Sequence, residues 1–348
     1  MLSLPTVTIV FLVFNRRDEL RASLEHMTRD SDYPRELVDI IVVDNASEDG
    51  AAEMVREVFP DVQLMVRDEN CGVSGWNEGL AVATGEWVLL LDDDCYLPPD
   101  GLRRAVLGAH EHEADLVSFA VLSSEESGHR FDLNYRTGLL TFWGCAALVR
   151  REVLARVGGY DPNIFVWANE VEFMLRFYNA GFRHLHMPEV EAVHMKGVSP
   201  NTWAENVGDW KYRMNHKNIA YTAGKHLRAR EALGALVAIV ATNLRDGLRG
   251  RPRAAAAAFT SFGGFVNGLR NREPVNKEIS RIYRRHFLSF ASPWWVSRPV
   301  HLFLMGIPGA LMRRALGRRR PADHHGRWVQ YFERGARYYP SSSRTLEI

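Results

Sequence analysis

Cysteine is scarce in this chain: 348 residues contain three, Cys71, Cys95 and Cys145. An odd number without paired metal-type spacing argues against a disulfide framework and against a cysteine-based zinc site. Long apolar runs are missing as well. No stretch reaches the roughly 18 uncharged apolar residues that a membrane-spanning helix needs. The N terminus lacks the charged, apolar and small-residue regions of a signal peptide, so Leu4 to Phe14 reads as a first strand and the expected location is cytoplasmic. Glycine is absent from one telling turn, Phe14-Asn15-Arg16-Arg17, where a loop that cradles a triphosphate would need it. No helix-turn-helix, zinc-finger or RNA-binding signature accompanies the basic residues, which argues against a nucleic-acid partner.

What the chain does have is Glu86-Trp87-Val88-Leu89-Leu90-Leu91-Asp92-Asp93-Asp94-Cys95, an apolar run that ends in three acids. A run this short between turn residues reads as a buried strand of a mostly parallel sheet. Such sheets bind ligands at the carboxyl ends of their strands. Adjacent carboxylates repel one another, and a divalent cation bridging to substrate phosphates relieves this. Alone, Asp92 to Asp94 could equally open a loop and cap the helix after Pro98-Pro99. Three earlier segments repeat the design: Val7 to Phe14 ending at Asn15, Val38 to Val43 ending at Asp44, and Val62 to Val66 ending near Asn70. Helical patterns follow each, over Asp18 to Met27, Gly50 to Phe59 and Gly72 to about Ala83. Alternation of this kind predicts an α/β fold, a sheet with helices on both faces. The four polar edges, Asn15, Asp44, Asn70 and Asp92, then line one cleft of nucleotide size.

These residues resemble the family 2 glycosyltransferases of the GT-A fold, especially the rhamnosyltransferase-like members. The matching pieces are Val42 to Gly50, Glu69 to Gly79 and Leu89 to Asp94, then Trp143 to Arg151, Val157 to Asp161, Asn169 to Arg176, and His194 to Ser199. The resemblance covers roughly residues 5–200 and thins out beyond about residue 270. It implies a Rossmann-like sheet and a job for each segment. Asp44 would receive the nucleobase, with Phe14 and Asn15 beside it. Asp92 would sit near the ribose or donor sugar, and Asn77 and Asp93 join the donor-binding set. Asp94 would hold the metal, Mg²⁺ or Mn²⁺, and His194 would supply a second metal or pyrophosphate contact. Glu170 stands at the position of the catalytic base, where the family's Glu-Asp pair is replaced by Asn169-Glu170.

Taken singly, several of these residues have plainer readings. Glu170 and Glu172 fall in the first turn of a helix expected through Ala180, where acids suit the helix dipole. Two positions apart, they face different ways, and Glu172 is expected to hold backbone or Arg176. His194 alone would read as a loop or core histidine, and Gly158-Gly159 as a turn. The net charge of +1 hides a division: residues 1–200 carry 17 Lys and Arg against 33 Asp and Glu, residues 201–348 carry 26 against 9. Three regions are therefore expected: a nucleotide-sugar transferase domain over 1–210, a basic helical region over 211–320, and a loosely ordered tail over 321–348. Trp328, Tyr331 and Phe332 would anchor a short helix in that tail. The basic half reads as a surface for anionic lipid at the inner face of the membrane, centred on Trp294, Trp295 and Arg318 to Arg320, as a helical hairpin packed on the catalytic domain or on a second subunit, or as both.

The expected activity is inverting, metal-dependent transfer of a sugar from a UDP- or dTDP-sugar to an acceptor hydroxyl. The acceptor is a glycan, a lipid-linked glycan or a natural product, chosen by loops such as Glu125 to Tyr135 and Asn163 to Ala168. A nucleotidyltransferase that makes nucleotide sugars is the alternative enzyme, and a non-catalytic nucleotide-sugar-binding module is the alternative outside enzymes.

Overall fold

The computed structural model describes residues 3–123, 130–131, 141–195, 209–248, 252–290 and 328–331. The first half alternates as expected: β1 (Val7–Val13), α1 (Arg17–Glu25), β2 (Val38–Asp44), α2 (Ala51–Val58), β3 (Gln63–Val66), α3 (Trp76–Val82) and β4 (Trp87–Asp92). After the two-residue β5 (Cys95–Tyr96) come α4 (Gly101–Glu111), β6 (Leu116–Ser123), β7 (Arg130–Phe131), β8 (Ala146–Arg150), α5 (Arg151–Val157), α6 (Asn169–Asn179) and the long β9 (Arg183–His194). Four helices follow: α7 (Asp209–His226), α8 (Ala229–Leu248), α9 (Pro252–Arg270) and α10 (Lys277–Phe290). The last described element is β10 (Trp328–Tyr331).

The strands form one mostly parallel sheet in the order β10-β9-β6-β8-β4-β1-β2-β3. From β4 to β3 all neighbours are parallel, and β8 enters antiparallel between β4 and β6. The apolar runs are continuous because both faces are covered. Ile9, Phe11 and Val13 of β1, with Leu89 and Leu91 of β4, pack beneath Leu20 and Leu24 of α1, Val55 of α2 and Val106 of α4. Val10, Val88 and Leu90 face the other way, toward Trp76 of α3, Val153 of α5 and Phe173 and Phe177 of α6.

That second core continues without a break into Ile219, Ala220, Ala235, Ile239, Ile279 and Tyr283 of the C-terminal helices. Burying each Ile or Leu fully stabilises by roughly 1.5–3 kcal/mol. The helices as far as Phe290 therefore pack on the α/β layer, one of the two readings the basic half allowed. Among the described residues no helix is long and apolar enough to cross a membrane.

One expectation fails. Trp328 to Tyr331 form no helix; they are an edge strand, antiparallel to β9, with Trp328 opposite His186. Trp, Val and Tyr within Trp-Val-Gln-Tyr suit a pleated strand better than a helix, and β9 offers open backbone groups to pair with. Lys196 to Ser199, most of the Glu125 to Tyr135 loop, and the Trp294, Arg318 and Ser341 segments lie outside the described residues.

Candidate active site

The parallel register brings the strand ends to one edge. Val13 lies opposite Asp44, and Leu12 opposite Asp92. Past β1 the chain turns at Asn15, whose φ of 53° is one that asparagine tolerates well. Asn15 ties this turn to the next: its N–H donates to Ser47 Oγ at 3.0 Å, and its Oδ1 accepts from the Glu48 N–H at 2.8 Å. Asp44 is buried; Oδ1 accepts from the Ser47 N–H at 2.9 Å, while Oδ2 has no partner among the described residues. Buried Asn45 joins the third turn, donating to Asn70 Oδ1 at 2.8 Å and accepting from the Cys71 N–H at 3.1 Å. Three polar turns thus form one wall, with an unsatisfied carboxylate oxygen in it.

The acid triplet forms the floor. β5 pairs with the end of β9, setting Cys95 opposite His194, and the Met195 N–H donates to the Asp94 carbonyl at 2.8 Å. Asp92, Asp94 and His194 consequently offer two carboxylate oxygens and an imidazole nitrogen within 4.8 Å of one another. Asp94 Oδ1 and His194 Nδ1 are buried without hydrogen bonds, and His194 Nε2 lies 3.5 Å from Asp94 Oδ1. A hard divalent cation fits this carboxylate-rich set. Burial, reinforced by Asp94 and Asp93, pushes the Asp92 carboxyl well above its usual range. Burial also raises Asp93 to about 7, although Arg16 and the Phe14 N–H, 3.3 Å from Oδ2, oppose this. Such shifts mark charge held without enough counter-charge.

Arg16 supplies part of that counter-charge, and sequence reasoning passed over it. Its guanidinium bridges Asp93 Oδ1 at 3.0 Å and Asp94 Oδ2 at 2.5 Å. A cation directly after the first strand of an acid-edged sheet was the available signal. Asn77 is placed elsewhere: its carboxamide donates to the Tyr160 carbonyl and accepts from the Tyr160 N–H, both at 2.8 Å, stapling α3 to the loop after α5.

Glu170 is the second residue of α6. Burial raises its carboxyl from the ordinary 4.5 to about 7, against hydrogen bonds from its own N–H and the Asn169 side chain. A methyl group at Gly144 would overlap Glu170 Oε1, so the Trp143-Gly144 turn closes directly on this carboxylate. Glu172 points the other way, into the protein, where Arg176 Nη2 donates at 2.6 Å and His226 Nε2 lies at 2.7 Å. A cation-ready acid floor, a wall with an open carboxylate oxygen and a carboxyl poised near neutrality can bind a phosphorylated nucleotide and take a proton from a hydroxyl.

Known proteins resemble the chain in the same region. A family model described as glycosyl transferase family 2 matches residues 8–158, and one described as glycosyl transferase family group 2 matches residues 87–317. The glycosyltransferase AglE of Haloferax volcanii is 25% identical over 210 residues, 55% of this chain and 67% of its own length. The N-acetylglucosaminyl-diphospho-decaprenol L-rhamnosyltransferase of Mycobacterium tuberculosis is 23% identical over 242 residues, 56% of this chain and 77% of that protein. In the curated relatives matched first, the aligned part spans 29–67% of the relative's own length. The crystal structure of S. aureus TarS 1–349 in complex with UDP-GlcNAc superposes with a TM-score of 0.54 at 16% identity, covering 97% of this chain and 99% of that one. The fold is that of the GT-A glycosyltransferases.

Proposed function

The chain belongs to glycosyl transferase family 2, and from that premise we propose that it is an inverting, metal-dependent transferase acting on a nucleoside-diphosphate sugar. The observation that carries the reading is the convergence of Asp92, Asp94 and His194 within 4.8 Å on the sheet edge that also presents Asp44. Asp44 Oδ2, buried and open, would accept from the nucleobase, with Phe14 and Asn15 framing the ring. Asp92 and Asp93 would line the ribose and donor sugar. Asp94 and His194 would hold Mg²⁺ or Mn²⁺, which when bound supplies positive charge opposite the departing diphosphate. Glu170, poised near neutrality, takes the proton of the acceptor hydroxyl. A single base on the acceptor side gives in-line displacement, so the anomeric centre inverts with no covalent sugar-enzyme intermediate.

The donor is a UDP- or dTDP-sugar; TarS was crystallised with UDP-GlcNAc. The acceptor is a saccharide, a lipid-linked glycan or a natural product; the mycobacterial relative is named for a decaprenyl diphosphate-linked one. The reading also places a transferase domain over residues 1–210, a basic helical region over 211–320 and a tail over 321–348, with the enzyme at the inner face of the membrane through its basic half.

The test is metal dependence through Asp94. Chelation should abolish nucleoside diphosphate release, and Mg²⁺ or Mn²⁺ should restore it. Asp94→Asn should lose most turnover and the thermal shift that metal produces in the wild type. A cation at a hundredfold excess over its Kd stabilises by about 2.7 kcal/mol, an easily read shift. Full turnover by chelated enzyme would sink the metal assignment.

A further inference from the structure

The segment joining α5 to α6 ends in Phe165-Val166-Trp167-Ala168, directly before the helix that carries Glu170. Phe165 and Trp167 meet Trp210 at the start of α7. The Phe165 and Trp210 rings stand edge to face with centroids 6.1 Å apart, and Trp167 lies 6.3 Å from Trp210 at 51°. Among the described residues most large aromatics are buried, yet Phe165 is 37% exposed and Trp210 47%.

The cluster is held firmly. Trp167 and Ala168 both adopt left-handed backbone, with φ of 63° and 62°. That conformation is rare for a residue as bulky as tryptophan and persists only where the surroundings enforce it. The Val73 N–H donates to the Phe165 carbonyl at 2.8 Å. Asn218 Nδ2 donates to the Val166 carbonyl at 2.8 Å and to the Trp167 carbonyl at 3.2 Å. A side chain at Gly72 would overlap the Phe165 carbonyl, so the cleft turn and this loop are in direct contact. Lys211 Nζ lies 5.7 Å from the centre of the Trp167 ring.

We propose that Phe165, Trp167 and Trp210 form a platform that binds a pyranose ring of the acceptor beside Glu170. The proposal rests on the transferase reading. A pyranose shows C–H groups on its faces and hydroxyls around its rim. Aromatic faces are electron-rich and attract such C–H groups, while the Lys211 ammonium, over the Trp167 ring, can donate to a rim hydroxyl. Rings that are fixed, tilted to one another and accompanied by a cation suit this amphipathic ligand better than an isoprenoid chain, which would need a continuous apolar groove. Chain position supplies the rest: Trp167 and Ala168 lead directly into α6, three and two residues before Glu170.

The experiment uses the full-length enzyme with UDP- and dTDP-sugars, and 4-nitrophenyl glycopyranosides and an oligosaccharide array as acceptors. Trp210→Ala should raise KM for the saccharide about tenfold, the loss of one stacking contact, while KM for the donor stays near the wild-type value. Trp210→Phe should recover most of the loss, and Phe165→Ala should behave like Trp210→Ala. Saccharide transfer with an unchanged acceptor KM in both alanine variants overturns the platform. So does a wild-type enzyme that turns over donor but transfers to no saccharide. Were no donor turned over at all, the transferase reading would fall instead. Tryptophan fluorescence titrated with the same glycosides would then decide the platform directly, a response that survives Trp210→Ala and Phe165→Ala counting against it.

Discussion

At the scale of single residues, Glu170 is set apart by its environment. Burial raises its carboxyl to about 7 from an ordinary 4.5. As the proposed base it must be ionised, so kcat/KM should fall about tenfold per pH unit below 7 and level off above it. Glu170→Gln keeps the shape and loses the proton acceptor; turnover should drop by about 10²–10⁴-fold with donor binding retained. The sign of the stability effect is the opposite. A folded pKa raised above the unfolded one stabilises the fold at low pH, and that contribution is lost as pH rises from 4.5 through 7. Relative to the wild type, Glu170→Gln should therefore gain stability on going from pH 5 to pH 8. Melting curves at the two values check this, and parallel losses in both proteins would contradict it.

At the scale of elements, α6 sends two acids to two destinations. Residues two apart on a helix lie about 200° apart around its axis. Glu170 lies against the Gly144 turn while Glu172 enters a buried ion network. Burial opposes the charge of Glu172, but Arg176 and His226 hold its carboxyl well below the usual range. Lys225 lies 3.4 Å from the same carboxylate and 2.7 Å from Asp161, which also accepts from the Tyr221 hydroxyl at 2.7 Å. The network ties α6 to α7 and to the loop after α5. Glu172→Ala would leave buried Arg176 and His226 without their carboxylate partner, while Lys225 keeps Asp161, at a cost of about 3–5 kcal/mol. The denaturant midpoint should fall accordingly; a midpoint equal to that of the wild type would show that the network does not hold these elements together.

At the scale of the whole molecule, the C-terminal helices pack on α6 and expose another surface of their own. Leu233, Val237, Leu244 and Leu248 stand out along α8, with Leu248 91% exposed, and Phe259 and Phe262 along α9. The half of the chain that carries them has 26 Lys and Arg against 9 Asp and Glu. Apolar residues within a basic surround suit an anionic bilayer, where each cation near the surface adds about 1 kcal/mol and salt weakens the attraction. The protein should sediment with anionic vesicles at low salt and leave them at high salt, and Val237→Ser with Leu248→Ser should weaken that binding. Equal partitioning onto neutral vesicles, or none at any ionic strength, would make this surface a contact between subunits.

The alternation of apolar runs with helical spacing was enough for the sheet, because fully buried parallel strands must be apolar on both faces, and β1, β2 and β4 follow the expected segments closely. The polar edge was legible for the same reason: carboxylates ending a buried strand have only the sheet edge to occupy. Local spacing also told Glu170 from Glu172. Long-range placement was not legible. That Arg16 swings onto Asp93 and Asp94, and that Asn77 closes on Tyr160, depend on contacts 77 to 83 residues apart, which no local pattern encodes. Trp328 to Tyr331 make the same point. Four residues carry too little periodicity to choose between helix and strand, and pairing with the open edge of β9 decided it. Trp210, 43 residues on from Trp167, joined Phe165 and Trp167 in a cluster only when α7 packed against α6.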